Sequence, residues 1–328
     1  MSTTDDIHVP ALKDNRPWKR SAGSSELPLT AVGLGGAPLA SMPAVLGYEV
    51  PSDRAVDLVE RVLTSPVGVI DTSNGYNDGE SERRIGRALA NIGPASGTLV
   101  VTKVDAERRD YSGDRVRASV RESQERLGMD HLPLVHLHDP EFHDFDDLSG
   151  PGGAVRTLLQ LKEEGVIGAI GVAGGHAPTI SRYVELGVFD ALLVHNRLTL
   201  VDRSAERLFE RAASRGMAVF NAGIYGGGIL ASPEAGRSTY AYRPASPAVL
   251  EAIASMHAAC IRHGIPLATA ALQASLREPT VDCTLVGMSR PERLEATLRA
   301  ASEPIPESLW HELDELRPSP ELWIDAQG

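Results

Sequence analysis

Four side chains able to move or steer a proton stand at or just past the ends of apolar runs. Asp71 follows "GVI" in "GVIDTS" (68–73), Tyr76 comes five residues later, Lys103 closes on the end of "TLVVTKV" (98–104), and His138 does the same in "LPLVHLHD" (132–139). A tyrosine with its ordinary pKa of about 10 exchanges protons poorly at neutral pH, and a neighbouring cation lowers that value. Lys103 is the cation on offer. Once buried, it needs an anion such as Asp71 to stay charged, and His138 could then hydrogen-bond a substrate oxygen and fix its direction. The set amounts to the acid/base half of hydride chemistry at a carbonyl or an alcohol. Each residue also has a plainer role: Asp71 with Thr72 and Ser73 as a turn or cap, Tyr76 as a loop anchor, Lys103 as a solubilising group on a rim. What favours chemistry is convergence of all four on one rim.

The elements that must bring them together are short apolar runs rich in β-branched residues: 30–36, 68–73, 98–104, 132–139, 169–174, 191–196, 218–223 and 283–288. Their near-continuous apolar character marks strands buried on both faces, as in parallel sheets. Segments with helical spacing lie between them, among them 114–128, 153–165, 202–216 and 291–301, several of which end in glycine, a helix stop. Eight such alternations predict an α/β protein with one (β/α)8 TIM barrel domain over 26–328, its active site at the C-terminal ends of the strands. A doubly wound nucleotide-binding sheet would call for G-x-G-x-x-G after the first strand, and "GLGGAPLA" (33–40) does not supply it.

Composition narrows the partners. With 32 basic against 44 acidic residues the net charge is −12, which repels nucleic acid and anionic membranes and points to a small-molecule substrate. Forty-two per cent hydrophobic residues, 31 glycines and 22 prolines fit a globular chain with a large core and many turns. Cys260 and Cys283 are too few for a disulfide framework and lack metal-ligand spacing. No apolar stretch suits a bilayer span, and the polar start lacks the apolar segment of a secretory signal. A cytoplasmic protein is expected, with residues 1–25 as a loosely ordered tail.

Other constellations compete. His136 and His138 are two apart on a strand and so share a face, as metal ligands of a barrel hydrolase would; Asp105, His176 and His195 lie near other strand ends, yet the ligand count stays poor and no metal is expected. His136 reads better as a satisfied core histidine. "AGIYGGGIL" (222–230) could set backbone amides against a phosphate, and "GMSRPERLEA" (287–296) opens a helix with Arg290 and Arg293 near its start. These follow the seventh and eighth strands, where barrels often hold phosphate. The long glycine-rich stretch 224–246 reads as a lid or binding loop, and 142–152 as a second, acidic loop.

These residues also carry a resemblance. "DTSNGYNDGESERRIGRAL" (71–89), "TKV" (102–104), "LVHLHDPE" (134–141), "LLQLKEEGVIGAIGV" (158–172) and "VGMSRPERLEATL" (286–298) make the chain from about residue 27 similar to the aldo-keto reductases. "LPLTAVGLGGAPLA" (27–40), "HDP" (138–140) and "STYAY" (238–242) resemble more narrowly the branch of D-threo-aldose 1-dehydrogenases, L-fucose and L-galactose dehydrogenases and pyridoxal 4-dehydrogenase. That resemblance implies oxidation of a sugar lactol or comparable aldehyde with NAD or NADP. It places the catalytic roles on Asp71, Tyr76, Lys103 and His138, and cofactor contacts on Gly35, Asp71, Ala173, Gly174, Asn196, Ala222, Gly223, Gly228, Leu230, Gly287, Ser289, Arg290 and Arg293.

The sequence departs from the family pattern around the nicotinamide. Ala173 and Gly174 replace the usual Ser-Asn pair, Leu192 the usual glutamine, and Ala222 the stacking aromatic, for which Tyr225 is the stand-in. Gly287 replaces the basic residue that often meets the 2′-phosphate of NADP, while Arg293 is kept, so NAD is slightly favoured. The rivals are an NADPH-dependent carbonyl reductase of the same family, a nucleotide-binding redox-sensing subunit with little turnover, and a metal-dependent barrel hydrolase. Substrate choice is expected from residues 40–50, 142–152 and 224–246.

Overall fold

A computed structural model describes residues 9–12, 16–24, 26–43, 47–93 and 97–326. Its strands are β1 (Lys19–Ala22), β2 (Leu27–Thr30), β3 (Val32–Gly35), β4 (Val69–Asp71), β5 (Leu99–Val104), β6 (Leu132–His138), β7 (Ile167–Gly174), β8 (Ala191–His195), β9 (Ala218–Ala222), β10 (Thr239–Tyr240), β11 (Arg243–Pro244) and β12 (Cys283–Gly287). β3 to β9 and β12 form a closed, all-parallel barrel in which β12 bridges β9 and β3. Each expected apolar run coincides with one of these eight strands, β7 starting two residues before its run. Residues on one face of the strands, including Val69, Val101, Leu134, Leu193 and Phe220, fill the barrel, while Ile70, Val100, Val135 and Val172 on the other face meet the helices. This two-sided burial is why the runs read as continuously apolar.

The outer ring holds α1 (Ser52–Leu63), α2 (Glu80–Ile92), α3 (Gly113–Leu127), α4 (Phe145–Ser149), α5 (Ala154–Glu163), α6 (Ala177–Glu185), α7 (Glu206–Ser214), α8 (Pro247–Arg262), α9 (Leu267–Leu276), α10 (Glu292–Ser302) and α11 (Glu307–Glu315). Helical spacing explains them: α1 buries Ala55, Val56, Leu58, Val59, Val62 and Leu63 and exposes its charges. The start of α3 is capped by the Ser112 hydroxyl, which accepts from the Arg115 amide, and its end by left-handed Gly128. None of the described helices is long and apolar enough to cross a membrane. Cys260 and Cys283 are both buried and free.

Two expectations need correcting. Residues 16–24 are not a loose tail: β1 pairs antiparallel with β2, and Ala22, Leu27 and Leu29 join the barrel interior where the strands begin. The driving force is closure of an otherwise open barrel floor, with buried Trp18 donating from its indole to the Pro66 carbonyl at 2.8 Å. Residues 1–8, 13–15 and 25 of that expected tail, and 44–46 of the expected substrate loop, lie outside the described residues. The acidic stretch 142–152 is not all loop either, since Asp144 caps α4 by accepting from the Asp146 and Asp147 amides.

The floor and the strand ends are at opposite poles. Leu29→Ala should therefore lower stability by about 2–5 kcal/mol in denaturant unfolding, as large-to-small core changes do, while leaving kcat as it was.

Candidate active site

Register decides which side chains meet at the upper rim. Asp71 pairs with Val101, so Lys103, two residues on, projects into the barrel one layer above Val101 and beside Asp71. The Lys103 ammonium is 2.8 Å from both Asp71 carboxylate oxygens, 2.7 Å from the Thr72 carbonyl and 3.3 Å from the Tyr76 hydroxyl. At 1% exposure it cannot be a solubilising rim lysine. Burial alone would strip its proton, but the charge of Asp71, with Tyr76, holds its pKa above the ordinary lysine range.

The loop after β4 delivers Tyr76. Its backbone is tied down where Thr72 donates to the Val101 carbonyl at 2.8 Å and Asn74 to the Lys103 carbonyl at 3.2 Å. The Thr72 hydroxyl donates to Ser81, whose own hydroxyl donates to the Gly36 carbonyl. Gly36 must be glycine here, because a Cβ would sit 2.4 Å from the Asp71 carbonyl oxygen. Burial raises the Tyr76 phenol above its ordinary pKa, and Lys103 opposes that rise without cancelling it. Lys103 thus acts in the expected lowering direction, while enclosure of the phenol pulls the other way.

His138 enters from the end of β6, its ring edge-on to Tyr76 with centroids 5.8 Å apart. Its amide donates to the Tyr111 hydroxyl at 2.9 Å, and that hydroxyl donates to the Val104 carbonyl at 2.6 Å. Its Nδ1 lies 2.6 Å from Asp105 Oδ1. All four proton-handling candidates therefore share one rim. Asp105 was weighed only as a metal ligand, and nothing in the sequence pointed to Tyr111.

His136 shares the inward face, one layer down, as its spacing required. It is fully buried with neither ring nitrogen hydrogen-bonded, so it is a core histidine but not a satisfied one. Phe220 lies edge-to-face against it at 5.8 Å, and a Cβ on Gly171 would fall 2.1 Å from its Nδ1. Burial, aided by Lys103, pushes its pKa well down and keeps it neutral. Among the described residues no cluster of three or more His, Cys, Asp or Glu is arranged to hold a metal ion.

The remaining candidates divide. A cleft of about 500 Å³ runs along the ends of β9 and β12, with Gly223, Gly228, Gly287, Ser289 and Arg293 on its walls. Tyr225 is there too, as are Gly227, Arg237 and Arg299. Gly35 pairs with both Asp71 and Gly287, which carries the rim from the cleft to the proton-handling group. Ala173 sits beside His138 in register and is inside the barrel; Gly174 ends β7 with Glu141 in the space its Cβ would occupy. Asn196, left-handed at φ 63°, keeps a buried side-chain oxygen without a partner next to Gly223. Ala222 ends β9, half-buried.

Leu230 and Arg290 lie away from the cleft. The Gly226–Gly228 turn sends Leu230 into the core against Tyr240 and Met256, and Arg290 lines a separate surface depression with Asp53 and Asp57. The cleft suits a nicotinamide dinucleotide: Gly223, Gly227 and Gly228 take φ of 64°, 74° and 99°, which keeps side chains out of the cradle, and three guanidinium groups line it.

A closed (β/α)8 barrel with a buried Asp-Lys pair, a tyrosine and a histidine at its C-terminal rim and a basic cleft beside them defines an oxidoreductase-type site. Residues 31–318 match the aldo/keto reductase family, and the chain belongs to it; it is an NAD(P)-dependent oxidoreductase. It is 30% identical to D-threo-aldose 1-dehydrogenase of Pseudomonas sp. over 325 residues, covering 90% of this chain and 97% of that protein. Pyridoxal 4-dehydrogenase of Microbacterium luteolum is 29% identical, with 89% and 95% covered, and L-galactose dehydrogenase of Arabidopsis thaliana 31%, with 87% and 88% covered. Among solved structures, the holo form of an aldo-keto reductase from Bacillus halodurans superposes with a TM-score of 0.77 at 22% identity, over 95% of this chain and 100% of that one. It shares the fold.

Removing one partner of a buried pair leaves the other stranded. Lys103→Met should cost about 3–5 kcal/mol, and adding Asp71→Leu should return part of that loss; denaturant midpoints at constant m-value measure both.

Proposed function

We propose that this enzyme oxidises an aldose, as its lactol, or a similar hydroxy-aldehyde, with Tyr76 as the acid/base. The observation that carries the reading is the contact of the Tyr76 hydroxyl, at 3.3 Å, with an ammonium that Asp71 keeps charged. In oxidation the anomeric hydroxyl passes its proton to the Tyr76 oxygen, and Lys103 stabilises the phenol's conjugate base. The bound nicotinamide supplies the hydride acceptor. His138 directs the substrate oxygen towards Tyr76, and the phenol returns the proton when the reaction runs in reverse. The similarity to D-threo-aldose, pyridoxal and L-galactose dehydrogenases supports this substrate class.

Gly223, Gly228, Gly287, Ser289 and Arg293 would hold the dinucleotide, with Tyr225 against it in place of the aromatic missing at Ala222. NAD remains slightly favoured because Gly287 offers no charge. A second reading, NADPH-dependent carbonyl reduction, is favoured by one observation: Arg237, Arg293 and Arg299 all line the cleft and could receive a 2′-phosphate.

The test follows the near-ultraviolet absorbance of reduced nicotinamide with NAD or NADP and L-fucose, D-arabinose, L-galactose and pyridoxal. Cofactor reduction with a sugar supports the dehydrogenase reading; activity confined to carbonyl reduction by NADPH would replace it. Tyr76→Phe should cut kcat by about 10²–10⁴-fold, the usual worth of a positioned acid/base, with an unchanged circular dichroism spectrum. Full activity in that variant would sink the mechanism.

A further inference from the structure

Asp105 is a carboxylate that the proposed reaction does not use, yet the fold is built around it. Its Oδ1 is 2.6 Å from His138 Nδ1, and its Oδ2 accepts from the Gly75 amide at 2.7 Å and from the Ser73 hydroxyl. Ser73 Oγ is also 3.1 Å from His138 Nδ1. Gly75 makes the approach possible, since a Cβ there would fall 2.8 Å from Asp105 Cγ. The backbone of Asp105 is pinned as well: its amide donates to Ser119 and its carbonyl accepts from Arg115 Nε, both at 3.3 Å. The loop after β4, the end of β5 and the end of β6 thus meet on one carboxylate.

We propose that Asp105, steadied by Ser73 and Gly75, is a positioning residue for His138: it fixes the proton on Nδ1 and leaves Nε2 as the nitrogen offered to a substrate oxygen. Among the described residues the carboxylate paired with Nε2 is Asp139, its Oδ1 3.7 Å away, too far to take its proton in a hydrogen bond. Without Asp105, a neutral ring would divide its one proton between Nδ1 and Nε2, and the nitrogen facing the mouth would be an acceptor in some molecules and a donor in others.

A second consequence concerns charge. Burial opposes a charged His138, but Asp105 and then Asp139 outweigh it, so the ring holds its second proton above the ordinary histidine range despite Lys103 nearby. Burial would likewise raise Asp105; the His138 charge, Ser73 and the Gly75 amide bring it down to about 2. The groups facing this ring are Lys103 and Asp105 from β5 and its end, Asp71 and Tyr76 from β4 and its loop, His136, Asp139 and Glu141 from β6 and beyond, and His195 from β8. Among the described residues, Asp105 is the carboxylate hydrogen-bonded to it. Oxygen charge that develops as the substrate loses its proton then meets an imidazolium N–H rather than a neutral ring.

The sign follows directly. Because the folded pKa is raised, the imidazolium is complete at low pH and is lost as pH rises through that raised value; without Asp105 the loss comes at lower pH. The test is Asp105→Asn, which keeps shape and removes charge, read first by the pH titration of the His138 ring in nitrogen-15 NMR of the cofactor-free protein. The midpoint should fall in the variant, and Asp105→Glu should restore part of the shift. The same midpoint in variant and wild type would overturn the proposal.

A kinetic arm rests on the proposed role of His138 and is separable from the first. With an active sugar, kcat should fall about 10- to 100-fold, the worth of one hydrogen bond to a charged group, with KM nearly constant and the descending limb of kcat/KM moved to lower pH. An equal fall in kcat with an unmoved limb would mean that Asp105 only braces the Tyr76 loop. A titration that shifts while no sugar turns over would uphold Asp105 and reject the aldose reading instead.

Discussion

An ammonium can remain charged inside a barrel only when its protons are all taken. Lys103 meets that demand with two Asp71 oxygens, the Thr72 carbonyl and the Tyr76 hydroxyl, and much of the rim is arranged to provide them. Asp71 must end β4 in register with Val101, so β4 and β5 cannot slip by one residue without turning both charges towards the helices. Thr72 must present its carbonyl inwards, which fixes the first step of the following loop. The Tyr76 hydroxyl makes the longest of these contacts, at 3.3 Å.

The same demand explains the chain's use of glycine and small polar residues around the site. Gly36 lets the end of β3 approach the Asp71 carbonyl, and the Thr72–Ser81–Gly36 relay ties the Tyr76 loop to the start of α2. The long connection after β9 works differently. Its glycines turn the backbone through left-handed conformations along the cleft wall, while Tyr240, whose hydroxyl reaches Thr199, anchors the β10–β11 hairpin to the barrel. One part of the rim is held by a chain of hydrogen bonds, and the other opens into the cleft.

The barrel was legible because strands buried on both faces and helices with one apolar face leave distinct periodicities. So were the four rim residues, each a polar side chain at or just beyond an apolar run. The floor was not: "KRSAGSSELPLT" has no such pattern, since β1 and β2 bury only a few side chains against an existing barrel. Asp105 was visible as a residue but not as a partner, because its acceptor role depends on His138 in another strand. Leu230 and Arg290 stand outside the cleft for a related reason. Their neighbours in sequence line the cleft, but a tight glycine turn and the entry to α10 send these two elsewhere. The enclosure of Tyr76, which opposes the lowering by Lys103, is something spacing does not report.

Charge balance at the rim is tighter than net charge suggests. Lys103 is answered by Asp71 and His138 by Asp105, with Asp139 3.7 Å from the other His138 nitrogen and neutral His136 and apolar Phe220 directly beneath. An apolar layer below strengthens each pair by excluding water, and the same layer would make any unpaired charge costly. A further negative charge brought to the mouth would meet the carboxylates already there. The unpartnered buried oxygens of Asp139 and Asn196 at that level are acceptors, and acceptors select for donors.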